Sequence, residues 1–117
     1  MPLTTYMPRD RRRYKQHEES VLFSANVPAG NYVYVQDCDG KVWVAPDGFH
    51  MHPRVLGRAQ PAVSAGELTI GDDGDVFIVN NVSGTFQCAS DSLITTVGGL
   101  ILQGAIITPE AVSRHED

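Results

Sequence analysis

The sequence predicts an α+β fold: a small, mostly antiparallel β-sheet domain of two main hairpins, with one C-terminal helix over about residues 91–103 and a disordered N-terminal leader. Three observations predict it. Two pairs of β-branched and aromatic stretches flank turns rich in Asp and Gly. One stretch near the C-terminus repeats its apolar residues at helical spacing. The first 20 residues show almost no apolar periodicity.

The two hairpins are the strongest local prediction. They are Asn31–Gln36 with Lys41–Ala45 around the turn Asp37–Gly40, and Gly66–Ile70 with Asp75–Val79 around the turn Gly71–Gly74. In the first hairpin we expect Val42 and Val44 to share one face and Trp43 to point to the other, because side chains alternate along a strand. Further short strands are predicted over Val21–Val27 and Ala105–Ile107.

The C-terminal stretch admits two predictions. Ser90–Ser92 is a suitable N-cap, and Gly104 a suitable stop, for a helix. Its apolar positions at helical spacing are Leu93, Val97, Leu100 and Ile101. The alternative is a hairpin that turns at Gly98–Gly99, because each glycine inside a helix costs roughly 1 kcal/mol relative to alanine. We predict the helix and keep the hairpin as the alternative.

The chain divides into three segments. Residues 1–20 are predicted as a disordered or loosely docked basic leader, residues 21–108 as a single β-rich domain, and residues 109–117 as a polar tail. Within the domain, residues 49–61 contain Pro53, Gly57 and Pro61, so we expect irregular structure there with no more than a short turn.

Charge is distributed unevenly. Residues 1–15 hold five basic residues and one acidic residue, a net charge of +4, whereas the remainder holds four basic and 13 acidic residues, a net charge of −9. An acidic body repels nucleic acid and anionic membranes, so neither is predicted as a partner. The leader is predicted as a solvated segment, with a nucleic-acid-binding arm as the alternative.

The cysteines and the N-terminus indicate the compartment. Cys38 and Cys88 lie 50 residues apart without a C-x-x-C motif. The opening residues are polar and rich in arginine and lack the apolar stretch of a signal peptide. Free thiols in a reducing environment are the expectation, and the predicted location is the cytoplasm.

His50 and His52 form the most unusual pair in the sequence. In an extended segment they point the same way and could bind one transition metal, with a third ligand from Cys38, Cys88, Asp47 or Glu67. The alternative is a turn in which the histidines bind backbone carbonyls around Pro53. Metal binding is kept as a hypothesis, and no cofactor is predicted.

Three short motifs carry a family resemblance over about residues 42–87. They are Phe49-His50-Met51-His52, Pro61-Ala62-Val63-Ser64-Ala65-Gly66-Glu67 and Asn80-Asn81-Val82-Ser83-Gly84-Thr85-Phe86. This stretch resembles the F-H-H-S, P-V-x-x-A-G-E and N-x-S-G-H-Y module of bacterial polymorphic-toxin and effector proteins and of plant IQ-motif calmodulin-binding proteins. In that module a helix and a short strand follow, as predicted here. The chain departs from the module where Met51 replaces a histidine and Thr85-Phe86 replaces His-Tyr.

The segment that leads into the second hairpin, residues 61–67, and the segment that leaves it, residues 80–84, should meet at one end of that hairpin. His50 could lie beside them. Loops on a rigid sheet are common binding sites. The predicted binding residues are His50, His52, Glu67, Asn81 and Ser83, and no catalytic residue is assigned.

These observations lead to three functional hypotheses. The first is a small cytoplasmic bacterial protein-binding module, an immunity or adaptor partner of a secreted toxin, which is favoured over an enzyme by the acidic body and by the missing polar positions of the module. The second is a small toxin or effector enzyme of ADP-ribosyl-transferase-like chemistry that places His50 and Glu67 around a nicotinamide. The third is a metal-binding module that uses His50 and His52.

Overall fold

The computed structural model of the chain describes residues 4–48, 51–81, 83, 92–107 and 112–113. One sheet contains six strands in the order β1-β3-β2-β4-β5-β6, of which the first five are antiparallel and β6 lies parallel to β5. The strands are β1 (Val21–Leu22), β2 (Gly30–Gln36), β3 (Val42–Pro46), β4 (Ser64–Ile70), β5 (Val76–Asn80) and β6 (Val112–Ser113). The helices are α1 (His52–Leu56) and α2 (Ser92–Leu102).

The predicted α+β class, both hairpins and the C-terminal helix are confirmed. Residues 92–102 form the helix and not the alternative hairpin. The strand predicted over Val21–Val27 is limited to β1, and Ala105–Ile107 contributes one isolated bridge, between Ile107 and Val76. Strand β6 lies within the segment that the sequence assigned to the polar tail.

The sheet is covered on both faces. On one face Tyr34, Val42 and Val44 pack with Leu93 and Leu100 of α2. The other face packs against α1, through a cluster that contains Val33, Val35, Ala45, Val55, Leu56 and Ala65, with Trp43 against it. The predicted division between Val42 and Val44 on one face and Trp43 on the other is therefore confirmed.

Helix α1 lies in the stretch that the sequence predicted to be irregular. Pro53 occupies its first turn, where a missing amide hydrogen costs nothing, and Val55 and Leu56 are buried against the sheet. A helix of five residues is too short to satisfy its own last carbonyl groups. Those groups find their partners in the N-terminal leader.

The leader docks along the end of α1. The amide of His17 donates to the carbonyl of Arg54 at 2.8 Å, and the carbonyl of Val55 accepts from Gln16 Nε2 at 3.0 Å and from Ser20 Oγ at 2.6 Å. Further along, Tyr6 pairs with Ala62 through two backbone hydrogen bonds. These contacts hold the leader against the α1 side of the sheet.

Gly57 makes that docking possible. A Cβ at this position would lie 2.7 Å from Gln16 N and 2.9 Å from Tyr14 O, and its φ is +77°. Arg58 and Ala59 follow with φ values of 57° and 54°, a left-handed backbone that L-residues adopt only at a cost. The amide of Arg58 then donates to Tyr14 O at 2.8 Å, so the strained turn is directed at the leader.

Helix α2 is attached to the first hairpin at both ends. Near its start, Gln36 Nε2 donates to Thr95 O at 3.2 Å and to Gly40 O at 2.7 Å. Just beyond its end, the Gln103 side chain accepts from the amide of Val42 at 2.7 Å and donates to the carbonyls of Val42 and Phe23. The helix is therefore fixed across β2 and β3.

The adjacent glycines of α2 provide the first prediction, because they should respond to alanine with opposite signs. A Cβ at Gly99 would lie 2.7 Å from Gln36 Nε2 and 3.0 Å from Gly40 O, whereas a Cβ at Gly98 would meet no atom of the described residues within 4 Å. We expect Gly99→Ala to lower the free energy of unfolding by about 1–2 kcal/mol, as overpacking outweighs the gain in helix propensity. Gly98→Ala should raise it by about 0.5–1 kcal/mol.

Urea denaturation of the two variants measures both effects, and each variant is the control for the other. If both substitutions stabilised the fold equally, the close packing of Gly99 on the β2–β3 turn would be wrong.

Candidate functional site

The structure brings His52 and Glu67 to one edge of the second hairpin. The Nε2 atom of His52 lies 2.8 Å from Gly66 O. The side chain of Asn80 accepts from the amide of Glu67 at 3.0 Å through Oδ1 and donates to Glu67 Oε1 at 3.2 Å through Nδ2. We call His52, Gly66, Glu67 and Asn80 the β4–β5 clasp. It joins the segment before β4 to the end of β5.

Gly66 allows the clasp to close. A Cβ at this position would collide with the carbonyl of Asn80 and lie 2.7 Å from Asn81 Cα. The carbonyl of Asn80 also accepts from the hydroxyl of the fully buried Tyr34 at 2.8 Å. The Ala-Gly-Glu and Asn-Asn sequences therefore have a packing role here: the backbone at the end of β5 lies directly against Gly66 of β4, which has no side chain.

His52 is held as a neutral imidazole. Burial lowers its pKa, and the hydrogen bond to Gly66 O and the charges of Glu67 and Asp47 oppose that shift only in part. Because a carbonyl only accepts, Nε2 carries the proton. The sequence offered, as the alternative to a metal ligand, a turn in which the histidines bind carbonyls around Pro53. His52 instead begins α1 and binds the carbonyl of Gly66 in β4, and Nδ1 is the remaining ring nitrogen.

The other predicted site residues divide into two groups. Asn81 is buried, with 5% of its surface exposed, and Ser83 is half-buried. His50, on which the metal and ADP-ribosyl-transferase hypotheses depend, lies outside the described residues, as does Cys88. Within the part of the chain that the structure describes, no three His, Cys, Asp or Glu side chains are grouped so that they could hold a metal ion.

Asn80 was not among the predicted site residues, although it makes both side-chain hydrogen bonds to Glu67. Alternation could not have identified it, because β5 has two exposed residues in a row, Phe77 and Ile78, before the buried Val79. Asn80 follows the buried Val79 at the end of that strand, and the Gly66 position opposite leaves room for its backbone.

A second candidate site lies on the outer face of α2, which we define by Ile94, Gly98, Ile101 and Leu102. The side chain of Ile94 is 63% exposed, that of Ile101 57% and that of Leu102 89%. These positions lie within one stripe along the helix, opposite the buried Leu93, Thr96 and Leu100. No charged residue occurs anywhere from Ser92 to Ile107.

An open groove of about 520 Å³ adjoins this face. Gly98, Gly99, Ile101 and Leu102 form its helix side, and the β2–β3 turn forms the other side through Asp39 and Gly40. Gly98 keeps its part of the groove open, because it places no side chain there. The sequence did carry a signal for this site: a helix with large apolar residues on two sides needs a second surface to cover it.

No helix in the described residues is both long enough and apolar enough to cross a bilayer. The apolar surface of α2 therefore calls for a different explanation from a membrane span, because α2 has only 11 residues where a span needs about 20.

The pKa of His52 gives a prediction for stability against pH. Since folding lowers this pKa below its ordinary value of 6.5, the unfolded chain takes up the proton first as the pH falls. Stability should be constant for this group above about pH 7 and decline below pH 6.5, by at most about 1.4 kcal/mol per pH unit. The decline should continue until the pH reaches the folded-state pKa.

Chemical denaturation at pH 7.5, 6.5 and 5.5 of the native protein and of His52→Gln measures this contribution as the difference between the two slopes. The amide of glutamine keeps a donor for Gly66 O and does not titrate. Parallel curves would show that the imidazole protonates as easily in the fold as in the unfolded chain.

The chain was compared with protein-family models, with curated proteins and with solved structures. None of the three comparisons found a match. The interpretation of the two candidate sites therefore depends on their geometry and on the chemistry of their residues.

Proposed function

We propose that this protein is a protein-binding module that docks an apolar helical segment of a partner protein across the outer face of α2. The observation that carries the proposal is the combination of three exposed large apolar side chains with a helix that has no charged residue. A helix that is apolar all round is normally covered by other protein or by lipid. Here one side is covered by the sheet and the other is open.

The exposure of this surface supports a protein partner. Ile94, Ile101 and Leu102 are each more than half exposed and lie in one stripe along α2. The largest apolar patch of a monomer is often functional. The adjoining groove at the β2–β3 turn extends this surface.

Gly98 indicates what kind of segment fits. Its place in the middle of an exposed helix costs roughly 1 kcal/mol relative to alanine. Nothing in the described structure approaches the position within 4 Å, so internal packing does not require a glycine there. A glycine between Ile94 and Ile101 lets a second backbone come close, as small residues do where two helices cross.

The partner surface must itself be apolar and uncharged at its centre. Burying a charge against Ile94 and Ile101 without a counter-ion would cost several kcal/mol, and α2 offers no counter-ion. Asp39 at the rim of the groove is the charged group nearest to this surface in the groove lining. An amphipathic helix that turns its apolar side to α2 meets these conditions.

The resemblance of residues 42–87 supplies the partner class within this proposal. In a bacterial polymorphic-toxin system the chain would act in the cytoplasm as an immunity or adaptor protein for a secreted toxin. The clasp favours this over the ADP-ribosyl-transferase alternative, because Glu67 Oε1, which that alternative would turn to a nicotinamide, accepts from Asn80. The Glu67 side chain helps to hold the fold together at that edge.

The test uses a photo-reactive amino acid placed at Ile101 in the full chain, expressed in a bacterial cell, with the same group placed at the exposed Asp73 as the control. We expect one partner to be captured from Ile101 and not from Asp73. The captured protein is then purified and its affinity measured for the native chain, Ile101→Asp and Gly98→Ala. Ile101→Asp should weaken binding at least about tenfold, a loss of 1.4 kcal/mol or more.

Gly98→Ala separates binding from folding. It should weaken binding by about tenfold although it makes the chain more stable, because the added methyl group holds the partner helix away. The proposal fails if binding is unchanged in both variants, or if Ile101 captures only a second copy of the chain. The latter outcome would make the outer face of α2 a dimer interface.

A further inference from the structure

Seven of the nine basic residues of the chain lie in the leader or at the end of α1. They are Arg9, Arg11, Arg12, Arg13, Lys15, Arg54 and Arg58, all of them exposed, and we call this surface the basic face. The other two basic residues, Lys41 and Arg114, lie outside these segments of the sequence. So do 11 of the 14 acidic residues. Docking of the leader thus brings its five cations to the side of the sheet that carries Arg54 and Arg58.

Tyr14 connects the leader cations to those of α1. The guanidinium of Arg12, from the leader, and that of Arg54, from α1, each lie 5.3 Å from the centre of the Tyr14 ring. Asp10 fixes the ring and Arg12: its Oδ2 accepts from Tyr14 Oη at 2.7 Å and from Arg12 at 3.0 Å. Cations 42 residues apart in the sequence are therefore held around one aromatic ring.

The remaining cations are available for a ligand. Arg12 forms an ion pair with Asp10, and the other six basic residues of the face form none with any residue that the structure describes. A cavity of about 400 Å³ opens beside Tyr14 and is lined by Lys15, His17 and Arg54 together with Glu18. Polar and apolar atoms line it in nearly equal parts, and it is open to the surface, so one acidic side chain could enter it.

We propose that the basic face binds a short acidic segment of a partner protein, with one carboxylate seated in the cavity between Lys15 and Arg54. Arginine forks match carboxylates in a bidentate fashion, and Arg54 is oriented for this by its contact with Tyr14. The site is independent of the outer face of α2, because α1 and α2 cover opposite faces of the sheet.

Charge distribution favours an acidic peptide over nucleic acid. A nucleic acid longer than the basic face would extend onto a body whose other charged residues are mainly acidic, and these residues would repel each further phosphate. Glu18, at the wall of the cavity, also limits the phosphate density that the site can accept. A segment with a few carboxylates ends before it reaches the acidic body.

The test is fluorescence anisotropy of the full chain with a labelled peptide of about ten glutamates, a glutamine peptide of the same length and a single-stranded oligothymidylate of about ten nucleotides. We expect the glutamate peptide to bind and the glutamine peptide not to bind. Binding should weaken at least about fivefold when salt rises from about 50 to about 200 mM, because counterions screen exposed charges. Arg54→Gln with Arg58→Gln should weaken it about fivefold or more.

Two further variants distinguish a built site from general attraction to cations. Lys41→Gln removes one positive charge outside the basic face and should leave affinity within about twofold. Gly57→Ala should weaken peptide binding because the new Cβ displaces the backbone of Gln16 and Tyr14, and faster trypsin cleavage within residues 9–15 reports that displacement. The thermal unfolding midpoint of each variant shows that its domain is folded.

The inference is overturned if the glutamate peptide fails to bind at low salt, or if Lys41→Gln weakens it as much as the arginine pair does. Tighter binding of oligothymidylate than of the glutamate peptide would instead assign the basic face to nucleic acid. None of these outcomes bears on the α2 surface, whose test uses other residues.

Discussion

Strand β2 is buried on both of its faces, and the rest of the architecture follows from that constraint. Val33, Tyr34, Val35 and Gln36 are all buried, so each side of this strand needs its own cover. Helix α2 covers the side of Tyr34, and α1 covers the side of Val33 and Val35. Two helices on one small sheet leave two outer surfaces, and these are the surfaces to which the proposed interactions are assigned.

The cover on the α1 side is incomplete without the leader. Five residues of helix cannot satisfy their own carbonyls, and the hydrogen bonds from Gln16, His17 and Ser20 complete them. This packing requirement has an electrostatic result. The arginines of the leader are brought beside Arg54 and Arg58, and a segment that would be a diffuse cationic tail becomes a defined basic face.

Helix α2, which covers the other face of the sheet, presents an apolar outer surface and not a charged one. Leu93, Thr96 and Leu100 are buried on the side of α2 that packs against the sheet, and Gly99 lets the helix approach the β2–β3 turn closely. Ile94, Ile101 and Leu102 of the same helix are each more than half exposed. An exposed glycine next to exposed isoleucines lowers the stability of the free protein, and this cost is expected of a surface that is selected for contact with another molecule.

The sequence by itself determined the hairpins and the helix, since alternation, helical spacing and Asp-Gly turns such as Asp37–Gly40 are local properties. It also predicted that the segments leading into and out of the second hairpin meet at one edge, because a hairpin brings its flanking segments together. The docking of the leader, the clasp at Gly66 and the open side of α2 were decided only by the tertiary structure. Backbone contacts between distant segments leave no periodic pattern, and an apolar stripe does not state which of its sides the fold will cover.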